Sequence, residues 1–410
     1  MSALSSEAGL LNVSRHGNNR ISIQTCGTWT ELEAHVPAWI RLLQSNSRPS
    51  VFMTPEWLSS WWHAFGAKKE LRALIFTDDR EQTVGIAPFY SEHQRFLGLP
   101  LRVLRFVGAG SGDSDALDFI VAPGYEQACA QAFLRWLTLE QAFDICALET
   151  LPHYSAVAQN LSSLAQHGDL KLHSETSPNF FIDLPATWPD YLETLEPGFR
   201  PLLTRYPKRL HSRFNVSVIR CERESDLASS LDALFALHQM RWTGRGEPGA
   251  FSSAERRGFY RRMAHAFQAR GWLEFWLLKL DGEIAAAQFC FRYRDAVYLL
   301  QEGFHPKFAA EKVGYALRAH VLQQMIRSGA KRYDFLGGTD SYKARFGARC
   351  GTYITLRLAG TMRGRLCLAS RRGKLQFKQS LKRMLPAAVV AALRGEKAGS
   401  PKKPSAGSPE

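Results

Sequence analysis

From Phe52 the chain reads "FMTPEWLSSWWHAFGAKKELRALIFTDDREQTVGIAPFY": apolar residues at helical spacing, then a continuous apolar run, two aspartates and a second apolar run. That order predicts a helix, a strand, a tight turn and a second strand. It returns from Phe251 as "FSSAERRGFYRRMAHAFQARGWLEFWLLKLDGEIAAAQFCF". In each copy a hydroxyl residue stands two positions after the Phe, Thr54 or Ser253, where it caps a helix. Glu56 and Glu255 follow in the first turn, where the helix dipole favours a carboxylate. Both helices reach His-Ala-Phe, at 63–65 and 265–267, and both hairpins turn on Asp, at Asp78-Asp79 and Asp281-Gly282. Two such units at an offset of about 200 residues imply a duplicated architecture.

Beyond the second hairpin the pattern predicts a strand at 295–305. A helix at 311–330 follows, with Val313, Leu317, Val321 and Met325 on one face and Gly329 as its stop, and then a strand at 332–338. A crossover of that length places the two strands in parallel, with ligands expected at their carboxyl ends or at the start of the helix. The basic segment 191–214 has a helical pattern interrupted by Pro201 and Pro207, and the last core strand is expected at about 353–358. These elements divide the chain into a disordered arm (1–20), an N-terminal lobe (21–185), a C-terminal lobe (186–360) and a tail (361–410). The tail mixes Leu, Phe, Met and Val with Arg and Lys, as suits a surface helix on anionic lipid, and its last fifteen residues are of low complexity.

Composition narrows the class. With 45% hydrophobic and 11% aromatic residues the chain has ample core material. It has no run of 18 apolar residues and no charged start leading into a long apolar stretch, so a cytoplasmic protein is expected, at most peripheral to a membrane. Seven scattered cysteines without a C-x-x-C pair read as reduced thiols rather than zinc ligands, and no metal is expected. The charge is asymmetric: 13 Lys and Arg against 18 Asp and Glu up to residue 180, then 39 against 20. The second half should meet something acidic, such as a phosphorylated cofactor, a nucleic acid or an anionic membrane. Nucleic acid is disfavoured as a general partner, since neither aromatic-basic interleaving nor a helix-turn-helix is present.

The candidate chemistry concentrates late in the chain. At the start of the helix near Glu311, Gly314 leaves room for a phosphate at unpaired amide groups, with Lys307 and Lys312 beside it. The stretch "RYDFLGGTDSYKARFGARC" sets Asp334 in a strand and Tyr342, Lys343, Arg345 and Arg349 just after it. "LHQMRWTGRGEPGAF" offers His238, Arg241, Trp242 and Arg245 as an acceptor wall, balanced by a reading as packed Trp and solvated arginines. "GSGDSDALDF", with Asp113, Asp115 and Asp118, reads as a polar turn ahead of a strand rather than a calcium loop. The absence of a G-x-S-x-G elbow argues against a hydrolase of that kind.

The succession of hairpin, strand, helix opening on G-x-A, parallel strand and Tyr-bearing helix resembles the core of GNAT acyltransferases. The tandem arrangement resembles their FemAB-like branch. "FMTPEWLSSWW", "LHQMRWTGRGEPGAF", "VGYAL" and "YDFLGGTDSYKARFG" together look like the CelD-like GNAT proteins of cellulose and exopolysaccharide synthesis, over about residues 50–355. The resemblance implies an α/β fold of two GNAT-like lobes, the first degenerate, with mixed and mainly antiparallel sheets flanked by helices. It implies an acyltransferase using acyl-CoA, acetyl-CoA above all, on an amine or hydroxyl of a sugar or envelope precursor. The donor's thioester arm would lie between strands 295–305 and 332–338, and its phosphates would meet Lys312, Val313, Gly314, Tyr315 and Ala316, with Lys343 on a phosphate or the developing negative charge. Tyr342 would be the acid, Asp334 or Glu302 the base, and His238, Arg241, Trp242 and Arg345 the acceptor contacts. The chain departs from the pattern at Glu311, a carboxylate where Arg or Gln usually opens the phosphate loop. FemAB-like relatives use aminoacyl-tRNA, which keeps that donor open, as is a non-catalytic subunit of a polysaccharide synthase.

Overall fold

The computed structural model describes residues 11–12, 20–140, 143–166, 168–243, 249–338 and 341–371. The first lobe runs β1 (Leu11–Asn12), β2 (Ser22–Cys26), α1 (Trp29–Glu33), α2 (Val36–Ser45), α3 (Pro55–Phe65), β3 (Glu70–Leu71), β4 (Ala73–Thr77), β5 (Thr83–Ala87), β6 (Phe89–Phe96), β7 (Leu99–Phe106), β8 (Ile120–Val121), α4 (Glu126–Glu140), β9 (Ile145–Pro152), α5 (Ala156–Ala165) and β10 (Lys171–Asp183). The second runs α6 (Trp188–Glu193), α7 (Arg200–Arg213), β11 (Val216–Arg220), α8 (Glu224–Thr243), α9 (Ala254–Ala269), β12 (Leu273–Leu280), β13 (Glu283–Tyr293), β14 (Ala296–Phe304), α10 (Val313–Arg327), β15 (Arg332–Gly337), α11 (Ser341–Arg345) and β16 (Arg349–Ala359).

The repeated segments build matching local structure. A 3-10 turn precedes α3 (Val51–Met53) and another precedes α9 (Ala250–Ser252). Thr54 Oγ1 then accepts the Trp57 amide and Ser253 Oγ accepts the Arg256 amide, each at 3.3 Å. The two helices pack on each other, Trp57 meeting Phe259 with ring centroids 5.1 Å apart. A single apolar core therefore runs from the first lobe through α8 and α9 to the face of β12 and β13, while a second core lies between β12–β15 and helices α6, α7 and α10.

The lobes also exchange their last strands. The long sheet has the order β11-β12-β13-β14-β15-β10-β16-β9-β7-β6-β3. So β10, the end of the first lobe, pairs with β15 of the second, and β16 returns to pair with β9 of the first. Between them β10 and β16 are antiparallel from Lys171↔Ala359 to Phe181↔Arg349, which centres an approximate two-fold near Thr176 and Ile354. The symmetry reaches the backbone. Thr150 in β9 and Leu336 in β15, both non-glycine, have φ of 55° and 61°.

Three sequence expectations need correction or placing. α7 continues through Pro207 instead of breaking there, and Pro201 sits in its first turn, where the missing N–H costs no helical bond. Residues 362–371, expected in the tail, form a helix packed on the first lobe's side of the sheet, with Cys367 and Leu368 buried against Leu101, Val103, Ile145 and Ala147. Gly364 permits this: a Cβ there would lie 1.9 Å from the Asp144 carbonyl oxygen. The rest of the tail and most of the N-terminal arm lie outside the described residues. No described helix is long and apolar enough to cross a membrane.

Candidate active site

β14 and β15 are parallel and paired only at Ala296↔Arg332, Val297↔Tyr333 and Tyr298↔Asp334. After that they part. Leu299 to Glu302 on one strand and Phe335 to Gly338 on the other then line a cavity of about 930 Å³. Its remaining walls come from both lobes: Gly112, Asp113 and Asp115 from the first, and His238, Tyr342, Lys343 and Tyr353 from the second.

The end of β15 is held in its strained conformation by three ionisable side chains. Leu336 occupies the left-handed region, which costs a branched residue about 1–3 kcal/mol unless its surroundings fix it. Asp334 Oδ1 accepts the Leu336 amide at 2.8 Å. Asp115 Oδ2 accepts the Gly337 amide at 2.7 Å, reaching in from the first lobe. The Lys343 ammonium donates to the Leu336 carbonyl at 3.5 Å and to the Gly337 carbonyl. Burial pushes the Asp334 carboxyl up to about 7, against its bond from the Leu336 amide; Asp115 nearby adds to the rise, while Arg332 and Lys343 oppose it. Asp115 is raised by the same cause, with the Gly337 amide and Lys343 opposing. Tyr353 lines this cavity and a second one of about 390 Å³ that contains Asp334, Arg332 and Tyr154, so Asp334 stands behind the main cavity rather than in its wall.

The other walls are fixed by packing. A Cβ on Gly303 would fall 2.9 Å from Leu237 Cβ, so only glycine lets α8 lie this close to β14. That approach brings His238 to the cavity, edge-on to Phe251 at 4.9 Å. Asp113 accepts the Tyr260 hydroxyl at 3.1 Å and pairs with Arg256 at 3.2 Å, which uses both its oxygens for structure. Glu302 is ion-paired to Arg318, which is buried in α10 and lies 4.5 Å beneath the Tyr342 ring.

The sequence-predicted residues divide accordingly. Glu302, Tyr342, Lys343 and His238 line the main cavity, with Asp334 adjoining it. Lys312, Val313, Gly314, Tyr315 and Ala316 do not line it. They form the start of α10: Lys312 is left-handed, Val313 and Ala316 are buried, and Tyr315 packs on Phe199, Tyr206 and Phe346. A side chain at Gly314 would meet only Phe304, at 3.8 Å. The carboxylate of Glu311 is buried against Arg213 at 2.6 Å and Arg209 at 3.3 Å, so its charge is neutralised by α7. Arg345 is exposed and turned from the cavity onto the Phe199 ring, at 5.4 Å. Arg241 and Trp242 end α8, and Arg245 lies outside the described residues. The expected polar turn 113–118 is instead an interior structural and site loop. Asp118 in it is pushed to about 7 by burial and accepts the Ser155 hydroxyl at 2.9 Å. Sequence reading missed Asp115 as a cavity residue; its signal was three aspartates in a loop whose flanks, Val107 and Phe119 to Val121, are apolar enough to be interior. Among the described residues no cluster of His, Cys, Asp and Glu is arranged to hold a metal.

A family profile described as an acetyltransferase (GNAT) domain matches residues 199–344, the segment that supplies α7 to α11. The structure titled crystal structure of FemX superposes at TM-score 0.55 with 11% identity, over 78% of this chain and 95% of that one. The fold is a tandem GNAT fold. A conserved protein of unknown function from Bacteroides thetaiotaomicron VPI-5482 superposes at TM-score 0.51 with 10% identity, over 82% of this chain and 99% of the other. A tandem GNAT protein from the clavulanic acid biosynthesis pathway is similar at TM-score 0.46 and 11% identity, over 83% and 99%. No curated protein matches the chain. At these identities the likeness to the solved structures is one of fold alone.

Proposed function

We propose that the protein transfers an acyl group from a thioester donor, acyl-CoA in the first place, to an amine or hydroxyl of a sugar or cell-envelope precursor. The observation that supports this most is the parting of β14 and β15 into a cavity that holds carboxylates, a phenol and a lysine. The donor arm would enter between the strands, with its phosphates at the start of α10. That position suits an anion because Gly314 is open and Glu311 is already neutralised by Arg209 and Arg213.

In this reading the acceptor's lone pair attacks the thioester carbonyl from the cavity. The new C–N or C–O bond forms, the C–S bond breaks, the acceptor proton passes to a carboxylate, and the thiolate leaves with a proton from Tyr342. We assign the proton acceptor to Asp115 in the cavity wall, with Asp334 coupled behind it. Glu302 is reassigned as the counter-ion of Arg318, because its carboxylate is already engaged by that buried guanidinium. Lys343 is assigned to holding the strand end rather than a phosphate, since its ammonium already meets the Leu336 and Gly337 carbonyls.

A second donor, aminoacyl-tRNA, is favoured by one feature: the basic α7 helix, which carries Arg205, Lys208, Arg209 and Arg213 and sets Arg209 and Arg213 beside the start of α10. A role in exopolysaccharide assembly rests on the motif resemblance, and that chemistry belongs to the cytoplasm or its membrane face. The test is thiol release from acetyl-CoA by purified protein with an amino-sugar panel. Acceptor-dependent release supports the reading; its absence, alongside transfer from aminoacyl-tRNA, replaces the donor.

A further inference from the structure

Of the eight large hydrophobic side chains most exposed among the described residues, four belong to two adjoining elements. Leu97 (86% exposed) and Leu99 (54%) are at the tip of the β6–β7 hairpin, and Met362 (69%) and Leu366 (60%) are on the helix that follows β16. Alternation along β7 puts Leu99 on the same face as Leu101 and Val103, which contact Cys367 and Leu368 of that helix. The hairpin tip and the outer side of the helix thus form one apolar face over a small buried cluster.

The hairpin turns on Leu97 and Gly98, both at positive φ, so the most exposed leucine is presented by a tight turn rather than a long loop. On the helix, Met362 and Leu366 are four residues apart, and Arg363 and Arg371 flank them in solvent. The sequence that forms and follows the helix is basic. Between residues 341 and 395 the sequence contains no Asp or Glu, and the chain beyond 371 carries Arg372, Lys374, Lys378, Lys382 and Arg383. Asp144, which touches the start of this helix, is engaged by the Thr361 hydroxyl at 2.6 Å and the Arg102 amide at 2.8 Å. Apolar side chains standing out of a surface, ringed by arginine and continued by a basic segment, are what an interface with anionic lipid head groups requires.

We propose that Leu97, Leu99, Met362 and Leu366 are the insertion face by which the folded protein docks on an anionic lipid bilayer, with Arg363 and Arg371 on the head groups. A second copy of the chain would need an acidic complement, which this face does not offer to itself. This inference is independent of the acyl donor. The experiment is co-sedimentation of the full-length protein with phosphatidylcholine vesicles, with and without phosphatidylglycerol as the anionic component. Binding should require the anionic lipid. The pair Leu97→Ser and Leu99→Ser, and separately Met362→Ser and Leu366→Ser, should each weaken it about tenfold with an unchanged melting temperature. Equal binding to both vesicles, or full binding by both paired variants, overturns the proposal. So does a concentration-dependent dimer that either pair abolishes, which would assign the face to a second copy.

Discussion

Asp115 and Gly337 are 222 positions apart in sequence, and the carboxylate of one accepts the amide of the other at 2.7 Å. This bond joins a loop of the first lobe to the strand end that lines the cavity, so the first lobe is part of the candidate site and not only a partner for the second lobe's sheet. Asp115→Ala should lower stability by about 1–3 kcal/mol, the cost of leaving a buried amide unpaired. Asp115→Asn, which keeps an acceptor oxygen, should restore most of that while turnover stays down by about 10² to 10⁴. Calorimetric melting and initial rates on the two variants check the separation; full activity in Asp115→Asn would remove Asp115 as proton acceptor.

Asp334 gives a pH prediction. Its folded carboxyl titrates at about 7 against an ordinary 3.8, so between those values the native state holds a proton that the unfolded chain has released. Stability contributed by this group is therefore greatest at low pH and falls as pH rises toward 7. Asp334→Asn should flatten that fall and raise stability at pH 8 by about 2–4 kcal/mol. In the rate profile it should remove an ascending limb near pH 7. Denaturant melts at pH 5 and pH 8 read the first effect.

Glu302 and Arg318 should behave as structure. Removing the carboxylate strands a buried guanidinium, so Glu302→Leu should cost about 3–5 kcal/mol, and the double replacement Glu302→Leu with Arg318→Met should recover much of it. A double-mutant cycle by urea denaturation measures this. Full stability in Glu302→Leu together with a lost ascending, acid-side limb in the rate profile would return Glu302 to the role of base.

Tyr342 and Lys343 are neighbours with different expected effects. Tyr342→Phe keeps the ring over Arg318 and should lower turnover by about 10² to 10⁴ with little change in melting temperature. Lys343→Ala should lower the melting temperature as well, because the Leu336 and Gly337 carbonyls lose their cation. Equal falls in stability without a turnover effect would make both residues packing.

Much of the fold was legible because it is local. The caps at Thr54 and Ser253, the Asp-led hairpin turns and the Val313–Met325 stripe are written within a few residues of where they act. The site was legible on one side only. "YDFLGGTDSYK" announced Asp334, Tyr342 and Lys343, since charged residues at the end of an apolar strand need a reason to be there. Asp115 was not, because its partner is an amide more than half the chain away and its neighbours read as a turn. The exchange of β10 and β16 was hidden for the same reason: their pairing depends on how two lobes meet, which short-range pattern does not encode. In β9 Leu148 stands two residues before the left-handed Thr150, as in β15 Asp334 stands two residues before the left-handed Leu336.

The central claim is that a thioester donor binds with its phosphates at the start of α10 and its arm between β14 and β15. Isothermal titration of acetyl-CoA into the full-length protein tests it most directly, with Gly314→Asp as the paired control. The account predicts saturable heat below about millimolar ligand for the native chain and none for Gly314→Asp, whose carboxylate would occupy the phosphate position. Equal heats from both proteins would move the phosphate site elsewhere. No heat from the native chain at millimolar acetyl-CoA would contradict the donor outright.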